Sequence, residues 1–414
     1  MFGRSATVAA KAWILMPEFM FATGIECSNP TIENGRWRRD QLYETSHYKN
    51  WRRDLELVHE LGLRYLRYGP PIHLIFIGEG KFDWSFTDAV IPAMDEMGIT
   101  PLMDLVHFGL PDWLENFQNP DLSQHLAEYA KQFATRYSSV HFYTPVNEMY
   151  VTTRMSALEG AWNEQRRDDR SFVTAITNVA RASKLMMAEI QRANPNAIFV
   201  NSESSEFYQA CCPDPHIQEI ANFENERRFL AMDLLYGHEI SDRMTSYVKD
   251  NGVTGKDLDW FMNNDVSKRA ILGVDYYEWN EKVINSDGKP EMLGELFGWY
   301  VVTGQYYDRY RRPVMHTETN TPNANDGPNW LLRQWHNVEL IRQSGVPVVG
   351  FTWYSLIDQI DWNIGLTRAI GNVFPVGLFD LNREPRMVAQ AYKHLIGMFR
   401  DSLELSEKEA AALT

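Results

Sequence analysis

Cysteine is scarce in this chain of 414 residues, and long apolar runs are missing from it. The three cysteines are Cys27, Cys211 and Cys212. An odd number with one adjacent pair argues against a disulfide framework and against a zinc site, so we predict a reduced, cytoplasmic setting. Since no apolar run reaches about 18 residues, the sequence predicts no transmembrane helix.

Positive charge is also in short supply. Lysine and arginine number 40 against 55 aspartates and glutamates, which gives a formal net charge of −15. Such a surface repels phosphate backbones and anionic lipid, so neither nucleic acid nor a membrane surface is expected as a partner. Residues 1–18 lack an apolar segment followed by a small-residue cleavage site, and we do not interpret them as a signal peptide.

Aromatic residues, in contrast, are abundant. They make up 13% of the chain, with 13 tryptophans, 19 tyrosines and 21 phenylalanines. Most are expected to fill the core, and some are expected to line a cleft and to stack on the flat faces of sugar rings. A small carbohydrate or glycoside is one partner that such rings could bind.

Eight short apolar runs alternate with amphipathic segments of helical period. The runs lie at 19–24, 65–70, 100–108, 140–148, 197–204, 270–277, 313–320 and 348–357. Nearly continuous apolar strands are typical of a sheet that is buried on both faces, and eight strand–helix units in series predict an α/β fold, the (β/α)8 TIM barrel. The alternative, an open doubly wound sheet, would usually show an early glycine-rich phosphate turn, which the sequence lacks.

The whole chain, 1–414, is interpreted as a single barrel domain, because no linker rich in Pro, Gly or Ser divides it. Residues 1–18 form an N-terminal lead-in, and residues 402–414 form a charged tail that is expected to be exposed or frayed. The stretch 205–266 is predicted to be long and irregular, with one helix-like part at 226–237. It is expected to shape the side of the site that binds the aglycone.

Polar side chains follow the carboxyl ends of the predicted strands. In a barrel these ends meet at one mouth, where catalytic groups stand. Acidic groups that end apolar strands need partners there and are poorly explained as solvated surface. The residues concerned are Arg67, His107, Asn147, Glu148, Asp275, Tyr276, Tyr277, Glu318, Tyr354, Asp358, Asp361 and Trp362.

Glu148 after the fourth strand and Glu318 after the seventh form the most specific pattern in this set. A lone glutamate at a strand end is more often a salt-bridge partner. Two on opposing strands indicate glycosidic-bond chemistry, in which one protonates the leaving oxygen and the other stabilises an oxocarbenium-like centre. Arg67 and Tyr276 are predicted to keep Glu318 ionised, and its charge then favours a protonated Glu148 as acid/base.

The remaining candidates allow two interpretations each. His107 is either a structural histidine or a hydrogen-bond partner of a sugar hydroxyl. Trp362 is either a core residue or a stacking platform for a sugar ring. Cys27 is expected to be a small buried residue. The histidines are scattered and show no His-Glu-x-x-His spacing, so no metal or cofactor is predicted.

Seven segments together resemble the family 1 glycoside hydrolases, the β-glucosidase family, over residues 19–399. TPVNE, which ends at Glu148, is similar to the family's acid/base motif Thr-Phe-Asn-Glu-Pro. HTETN, around Glu318, is similar to its nucleophile motif Thr-Glu-Asn-Gly. The other five segments are YLRYGP, HFGLPDWL, GVDYY, FTWYSLIDQIDW and GLFDL. The resemblance implies a retaining β-glycosidase that works through a covalent glycosyl-enzyme.

The resemblance also implies sugar-binding roles. Asn147 should hold the sugar 2-hydroxyl and His107 the 3-hydroxyl, with Trp362 touching the 3-hydroxyl or stacking nearby. Asp361 matches a family glutamate that holds the 4- and 6-hydroxyls, and Glu26 lies near a family glutamine that reads the same sugar. The resemblance implies no metal or cofactor, and it leaves a homo-oligomer open.

Several positions depart from the family pattern. Met149 replaces the motif proline, Phe108 and Gly109 replace tryptophan and aspartate, and Tyr354 replaces the tryptophan that floors the sugar site. Asp361 is one methylene shorter than the family's glutamate. These changes keep the catalytic pair but alter the walls of the −1 subsite, so an ordinary glucose or galactose preference does not follow.

Other functions stay open on the sequence alone. A 6-phosphosugar substrate would depend on Arg368, the basic residue of the loop after the eighth strand. A catalytically silent, sugar-binding barrel is a second alternative, which the altered subsite supports. A transglycosylase or an endo-acting enzyme would use the same pair of glutamates.

Overall fold

The computed structural model describes residues 18–264, 269–400 and 403. The predicted lead-in, 1–18, lies outside the described residues except for Glu18. The predicted charged tail, 402–414, lies outside them except for Leu403. Both therefore stay predictions.

Eight parallel strands close into a barrel. They follow one another around the barrel in chain order, and the first strand pairs with the last, which confirms the predicted (β/α)8 TIM barrel. The strands are β1 Met20–Ile25, β2 Tyr65–Tyr68, β3 Thr100–Asp104, β4 Phe142–Thr144, β5 Ile198–Ser204, β6 Ala270–Asp275, β7 Val314–His316 and β8 Val348–Trp353.

Alternation along the strands separates the barrel interior from the layer beneath the helices. Met20 and Ala22 of β1 share one buried cluster with Ile198 and Val200 of β5. Phe21, between the first two, belongs instead to the larger core that includes the surrounding helices. Because both faces of each strand are buried, the strands read in the sequence as nearly continuous apolar runs.

Amphipathic helices cover the outside of the barrel, and their buried faces carry the apolar residues that the helical period predicts. Each strand except β5 leads to one long helix, while β5 leads to four helices. No helix in the described ranges has both the length and the apolar character needed to cross a membrane. The helices are α1 His47–Glu60, α2 Ser85–Glu96, α3 Leu122–Arg136, α4 Asp169–Ala193, α5 Pro215–Arg227, α6 Leu230–Tyr236, α7 Asp242–Asp250, α8 Gly255–Asn263, α9 Gly298–Tyr310, α10 Gly327–Gln343 and α11 Met387–Phe399.

Shorter elements complete the loops. The short strands are Thr31–Ile32, Trp37–Arg38, Phe76–Gly78, Lys81–Phe82, Phe207–Ala210, Glu281–Ile284, Pro290–Met292, Gln359–Ile360 and Val373–Phe374. The short helical turns are Gln41–Glu44, Ile72–Ile75, Asp112–Leu114, Met149–Thr153, Arg154–Leu158 and Trp362–Ile364. Several of them carry residues of the barrel mouth into the candidate site.

The described part of the stretch 205–266, residues 205–264, is mostly regular, so the prediction of a long irregular segment was wrong there. Its predicted helix-like part, 226–237, does contain the helix α6. It holds the strand Phe207–Ala210 and the four helices α5 to α8. Asp214 caps α5, and Thr254 and Asp257 form a reciprocal capping box at the start of α8. These side chains bind the backbone N–H groups that a helix leaves unpaired at its first turn.

Candidate active site

Glu148 and Glu318 line one cavity of about 450 Å³ at the mouth of the barrel. Glu148 follows the end of β4, and Glu318 follows the end of β7. Since the carboxyl ends of all barrel strands open on the same side, residues that are 170 positions apart in sequence reach a common space. The structure therefore brings together the two glutamates that the sequence singled out.

Glu318 is held as a carboxylate by two strong donors. Arg67 places Nη1 2.7 Å from Oε1, and the Tyr277 hydroxyl donates to Oε2 at 2.7 Å. Asn147 adds a weaker contact, with Nδ2 3.4 Å from Oε1. An opposite charge and hydrogen bonds to the charged form both favour the anion. The site thus holds the Glu318 carboxyl group in a fixed position beside an arginine side chain.

Glu148 lies in the opposite electrostatic setting. Burial raises the pKa of its carboxyl well above the usual range, and the negative charges of Asp275 and Glu318 raise it further. Its backbone is left-handed, with φ of 40°, and its N–H donates to the Ser202 carbonyl at 3.0 Å. That conformation is uncommon for a residue with a Cβ, so the surrounding strands must hold it.

The Tyr277 hydroxyl, and not that of Tyr276, donates to the Glu318 carboxylate, so the predicted role of the Tyr276 side chain was wrong. The Tyr276 backbone N–H donates to the Glu318 carbonyl at 2.9 Å. The Tyr276 hydroxyl donates to Glu281 at 2.6 Å, and its ring stacks on Trp330 at a centroid distance of 6.3 Å. Successive side chains near a strand end point to opposite sides. The pattern GVDYY contains both tyrosines, and only the register of the chain beyond β6 decides which one faces the cavity.

Arg67, His107, Asn147 and Glu26 meet around Glu318, as the sequence predicted for a common site. The Asn147 Oδ1 accepts from Arg67 Nη2 at 3.0 Å, and Arg67 Nη1 lies 3.2 Å from Glu26 Oε1. His107 Nδ1 lies 3.4 Å from Glu26 Oε2. All are buried, so their charges interact strongly.

Asp104 is a member of this cluster that the sequence analysis missed. Its Oδ2 lies 2.6 Å from His107 Nδ1 and 3.7 Å from Arg67 Nη2. Asp104 is the single acidic residue inside the apolar run 100–108, and this isolated charge could have indicated a site residue. Oδ1 of Asp104 and both carboxylate oxygens of Glu26 are buried and accept no well-aligned hydrogen bond in the described structure, although Arg67 and His107 lie near Glu26. Sugar hydroxyl groups are donors of the required kind.

Asp361 does not face the cavity, which corrects the sugar-binding role implied for it. Its carboxylate lies 3.1 Å from Arg39 Nη2 and accepts the backbone N–H groups of Ile370, Gly371 and Asn372 at 2.9, 3.0 and 2.7 Å. These bonds fix the loop after β8 and use the carboxylate completely. The Asp361 side chain is thus committed to the loop.

Tyr354 and Trp362 pack edge to face, with ring centroids 6.4 Å apart. Trp362 lines the cavity, whereas Tyr354 is buried behind it. Phe108 also packs against Trp362, at 5.9 Å. Gly109, next to Phe108, approaches Asn29 so closely that a Cβ would lie 2.0 Å from the Asn29 carbonyl oxygen. The segment Phe108–Gly109 therefore packs directly on the backbone around Asn29.

A charged network that the sequence did not reveal forms another part of the cavity wall. Glu206 accepts from Lys282 Nζ at 2.7 Å and from Arg154 Nη1 at 2.7 Å. Burial opposes the ionisation of Glu206, but the two cations outweigh it and lower its pKa to about 2. These residues come from separate loops, and their spacing in the sequence shows no motif.

Two groups of side chains in the described part have donor atoms close enough to share a metal ion. One is Cys27 with Asp40 and His73, and the other is Glu26 with Asp104 and His107. In the first group, Asp40 already accepts from His73 Nε2 at 3.1 Å and caps the helix Gln41–Glu44. The Asp40 oxygens thus have protein donors as partners, and these contacts account for the grouping of the three side chains without a metal ion.

Fold and site together define a barrel enzyme with paired carboxyl groups, the class to which many glycoside hydrolases belong. The family model described as glycosyl hydrolase family 1 matches residues 33–292, which is more than half of the chain. The chain therefore belongs to glycosyl hydrolase family 1 and is an enzyme that hydrolyses O-glycosyl bonds.

Similar proteins agree with this assignment at low sequence identity. Beta-glucosidase A of Thermotoga maritima is 21% identical over 372 residues, which is 79% of this chain and 81% of that protein. The 6-phospho-beta-glucosidase AscB of Escherichia coli is 22% identical, over 89% of this chain and 88% of that protein. The structure of the Thermotoga maritima beta-glucosidase in complex with deoxynojirimycin matches with a TM-score of 0.76 and 16% identity, over 92% of this chain and 98% of that chain.

Proposed function

We propose that the protein is a retaining β-glycosidase in which Glu318 is the nucleophile and Glu148 the acid/base. The observation that carries this proposal is the contrast on one cavity between an ion-paired carboxylate and a carboxyl group whose pKa burial raises. Retaining hydrolysis needs that pair of states at the start of the reaction. The substrate is a small β-linked glycoside.

In the first step, the Glu318 carboxylate attacks the anomeric carbon while the leaving oxygen takes the Glu148 proton. The bond between the anomeric carbon and the aglycone oxygen breaks, and an ester bond to Glu318 forms. Arg67 and Tyr277 keep the attacking carboxylate ionised and oriented before the reaction. The aglycone then leaves as an alcohol.

In the second step, water replaces the aglycone beside Glu148. Once Glu318 is esterified its negative charge is gone, so one of the causes that raise the pKa of Glu148 disappears. Glu148, now a carboxylate, accepts a proton from the water as the oxygen attacks the anomeric carbon. The ester to Glu318 breaks, and the sugar leaves with its original β configuration.

The buried polar cluster supports a sugar-binding role for the residues around Glu318. Glu26 and Asp104 offer buried oxygens that accept no well-aligned hydrogen bond, and Asn147 and His107 lie beside them. Trp362 supplies an aromatic surface in the cavity. We propose that these groups hold the sugar hydroxyls, with specificity that differs from relatives in which the position of Asp361 reads the sugar.

We further propose that residues 1–414 act as one catalytic domain, in a reducing compartment such as the cytoplasm. The three cysteines, Cys27, Cys211 and Cys212, are free thiols. Free thiols are typical of a reducing setting.

The test combines kinetics with stereochemistry on an aryl β-glycoside. Glu318→Gly should abolish turnover, and Glu148→Ala should lose roughly 100- to 10,000-fold on poor leaving groups and regain rate with azide. Proton NMR should show the β-anomer as the first product. Glu278→Gln, a change at another carboxyl group of the cavity wall, is the matched control and should keep most of the activity. Unchanged rates in both catalytic variants would refute the assignment.

One observation favours a second candidate, a sugar-binding barrel without turnover. Asp361 is committed to Arg39 and the loop backbone, so a contact implied for sugar binding is absent from the described site. Calorimetry with a panel of monosaccharides and simple glycosides distinguishes the two functions. Binding without product over long incubation, with both glutamates present, would favour the silent barrel.

A further inference from the structure

Large apolar side chains line the catalytic cavity beside the two glutamates. They are Met155, Trp162, Trp279, Met292, Trp362 and Phe374. The Trp279 ring stacks on Tyr277, the hydroxyl donor to Glu318, with centroids 4.6 Å apart and an interplanar angle of 9°. Apolar surface therefore begins directly beside the nucleophile. It offers a departing aglycone an environment that favours hydrocarbon over water.

This apolar surface continues onto the outside of the protein through Met292. Met292 lines the cavity and is nevertheless 73% exposed. Leu293, Leu296 and Phe297 follow it and are 40%, 56% and 40% exposed. We call these four residues the apolar rim. Exposed apolar side chains that are this large and this close in sequence are typical of a binding surface.

Hydrogen bonds hold the rim in place beside the cavity. The strand Pro290–Met292 pairs with the strand Glu281–Ile284 in antiparallel fashion. The buried Glu281 carboxylate accepts the Phe297 N–H at 2.8 Å, and the Tyr276 hydroxyl donates to it at 2.6 Å. The rim is thus tied through Glu281 to Tyr276, which directly follows β6. The next residue, Tyr277, donates to Glu318. A surface that is fixed before binding loses little entropy when a ligand is bound.

We propose that the apolar rim binds the aliphatic chain of the substrate, so that the enzyme acts on β-glycosides of long-chain alcohols. This inference rests on the proposed function, because the glutamates must hold the sugar for the chain to lie along the rim. Continuity argues for the substrate's own chain as the occupant. Met292 belongs both to the cavity and to the rim, so a chain that starts at the scissile oxygen has apolar surface to follow outwards.

The proposal sets a quantitative expectation for chain length. A methylene group that becomes fully buried improves binding by about fourfold, and one that lies on a half-open surface should give about twofold. Simple primary alcohols from ethanol to octanol are leaving groups of nearly equal acidity. The chemical step is therefore matched across the series, and differences in kcat/KM report contacts of the chain.

The experiment compares ethyl, butyl, hexyl and octyl β-D-glucosides below micellar concentration, with released glucose as the readout. The wild-type enzyme should gain about twofold in kcat/KM per methylene, or about 60-fold from ethyl to octyl. Met292→Ser and Leu296→Ser should flatten the series, so that the octyl and ethyl glucosides are cleaved with similar kcat/KM. Met387→Ser changes a methionine that is 56% exposed on α11, so it is the matched control and should keep the wild-type slope.

Binding of octyl 1-thio-β-D-glucoside separates failure of the rim from failure of the proposed function. If no glucoside is cleaved but this thioglycoside binds at least tenfold more weakly to Met292→Ser, the rim is supported and the hydrolytic function is not. Equal kcat/KM for all chain lengths in the wild type overturns the rim. A flat series with a wild-type dimer that Met292→Ser dissociates, seen by sedimentation velocity, also overturns it and assigns the surface to a second copy.

Discussion

Glu318 and Glu148 have the same side chain and line one cavity, but the charged neighbours of the two carboxyl groups have opposite signs. Around Glu318, the Arg67 cation and the Tyr277 hydroxyl each lie 2.7 Å from a carboxylate oxygen. Around Glu148, burial and the negative charges of Asp275 and Glu318 all raise the pKa. The first setting favours an anion, and the second favours a neutral acid.

The difference teaches that the neighbours, and not the glutamates themselves, assign the two roles. Asp275 is central to this difference because its negative charge raises the pKa of Glu148. Asp275 ends β6, and its carboxylate accepts a hydrogen bond from Ser202 Oγ at 2.6 Å. Burial raises the pKa of Asp275, and the charge of Glu318 raises it further, whereas the Arg67 cation opposes the rise. Changes to the neighbours should therefore disturb one glutamate more than the other.

Removal of the Arg67 charge should have the largest effect on the comparison. Arg67→Met leaves Glu318 without its ion-pair partner, and kcat/KM should fall about 100- to 1,000-fold. Arg67→Lys keeps the charge but loses the two-pronged geometry, so its loss should be smaller. Steady-state kinetics on an aryl β-glycoside measures both, with circular dichroism as the check on folding. A loss confined to KM in Arg67→Met would contradict a role in the chemical step.

The tyrosine pair gives a smaller and sharper test. Tyr277→Phe removes a hydrogen bond to the nucleophile and should lower kcat about 10- to 100-fold. Tyr276→Phe is the matched control, since it removes a hydrogen bond of similar length to Glu281. It should cost about 1–2 kcal/mol in the free energy of unfolding and change kcat by less than about threefold. Denaturant melts and kinetics on both variants check this, and the reverse pattern would restore the role first predicted for Tyr276.

The pH profile should show the smallest change. Glu148 must be protonated to donate, so the rate should fall as pH rises through its pKa, which is raised. Asp275→Asn removes a negative neighbour that raises this pKa. The pKa of Glu148 should then fall, and the alkaline limb of the profile should move to lower pH, while the rate below the limb changes little. An alkaline limb that stays in place would show that Asp275 does not act on Glu148.

The barrel could be predicted because burial on both faces leaves a direct mark on the sequence. Seven of the eight strands fall within an apolar run such as 100–108 or 197–204, and β1 extends one residue beyond its run. Apart from the helix-like part at 226–237, which contains α6, the helices of 205–264 were missed because that stretch is rich in polar residues. Their capping residues were available as a signal, above all Asp214 before Pro215 and the pair Thr254 and Asp257.

The position of Glu148 and Glu318 on one cavity could be predicted, and the details of the surrounding cluster could not. Glu148 and Glu318 end strands, where position alone places them at the mouth. Asp361 lies in a loop, and the orientation of its side chain depends on Arg39, which lies near the N-terminal end of the sequence. Which of the two tyrosines, Tyr276 or Tyr277, points its hydroxyl at the Glu318 carboxylate depends on a register difference of one residue. Tertiary packing determines these side-chain orientations, and they leave no local pattern in the sequence.

The close approach of Gly109 to Asn29 has a consequence for altering this enzyme. Any side chain at position 109 would collide with the carbonyl of the neighbouring loop, so glycine is required by its surroundings and is no neutral replacement of the aspartate seen in related motifs. Aspartate introduced alone at position 109 should destabilise the fold. A designer who wishes to restore it must first rebuild the segment around Asn29, and the two loops should be exchanged as one unit.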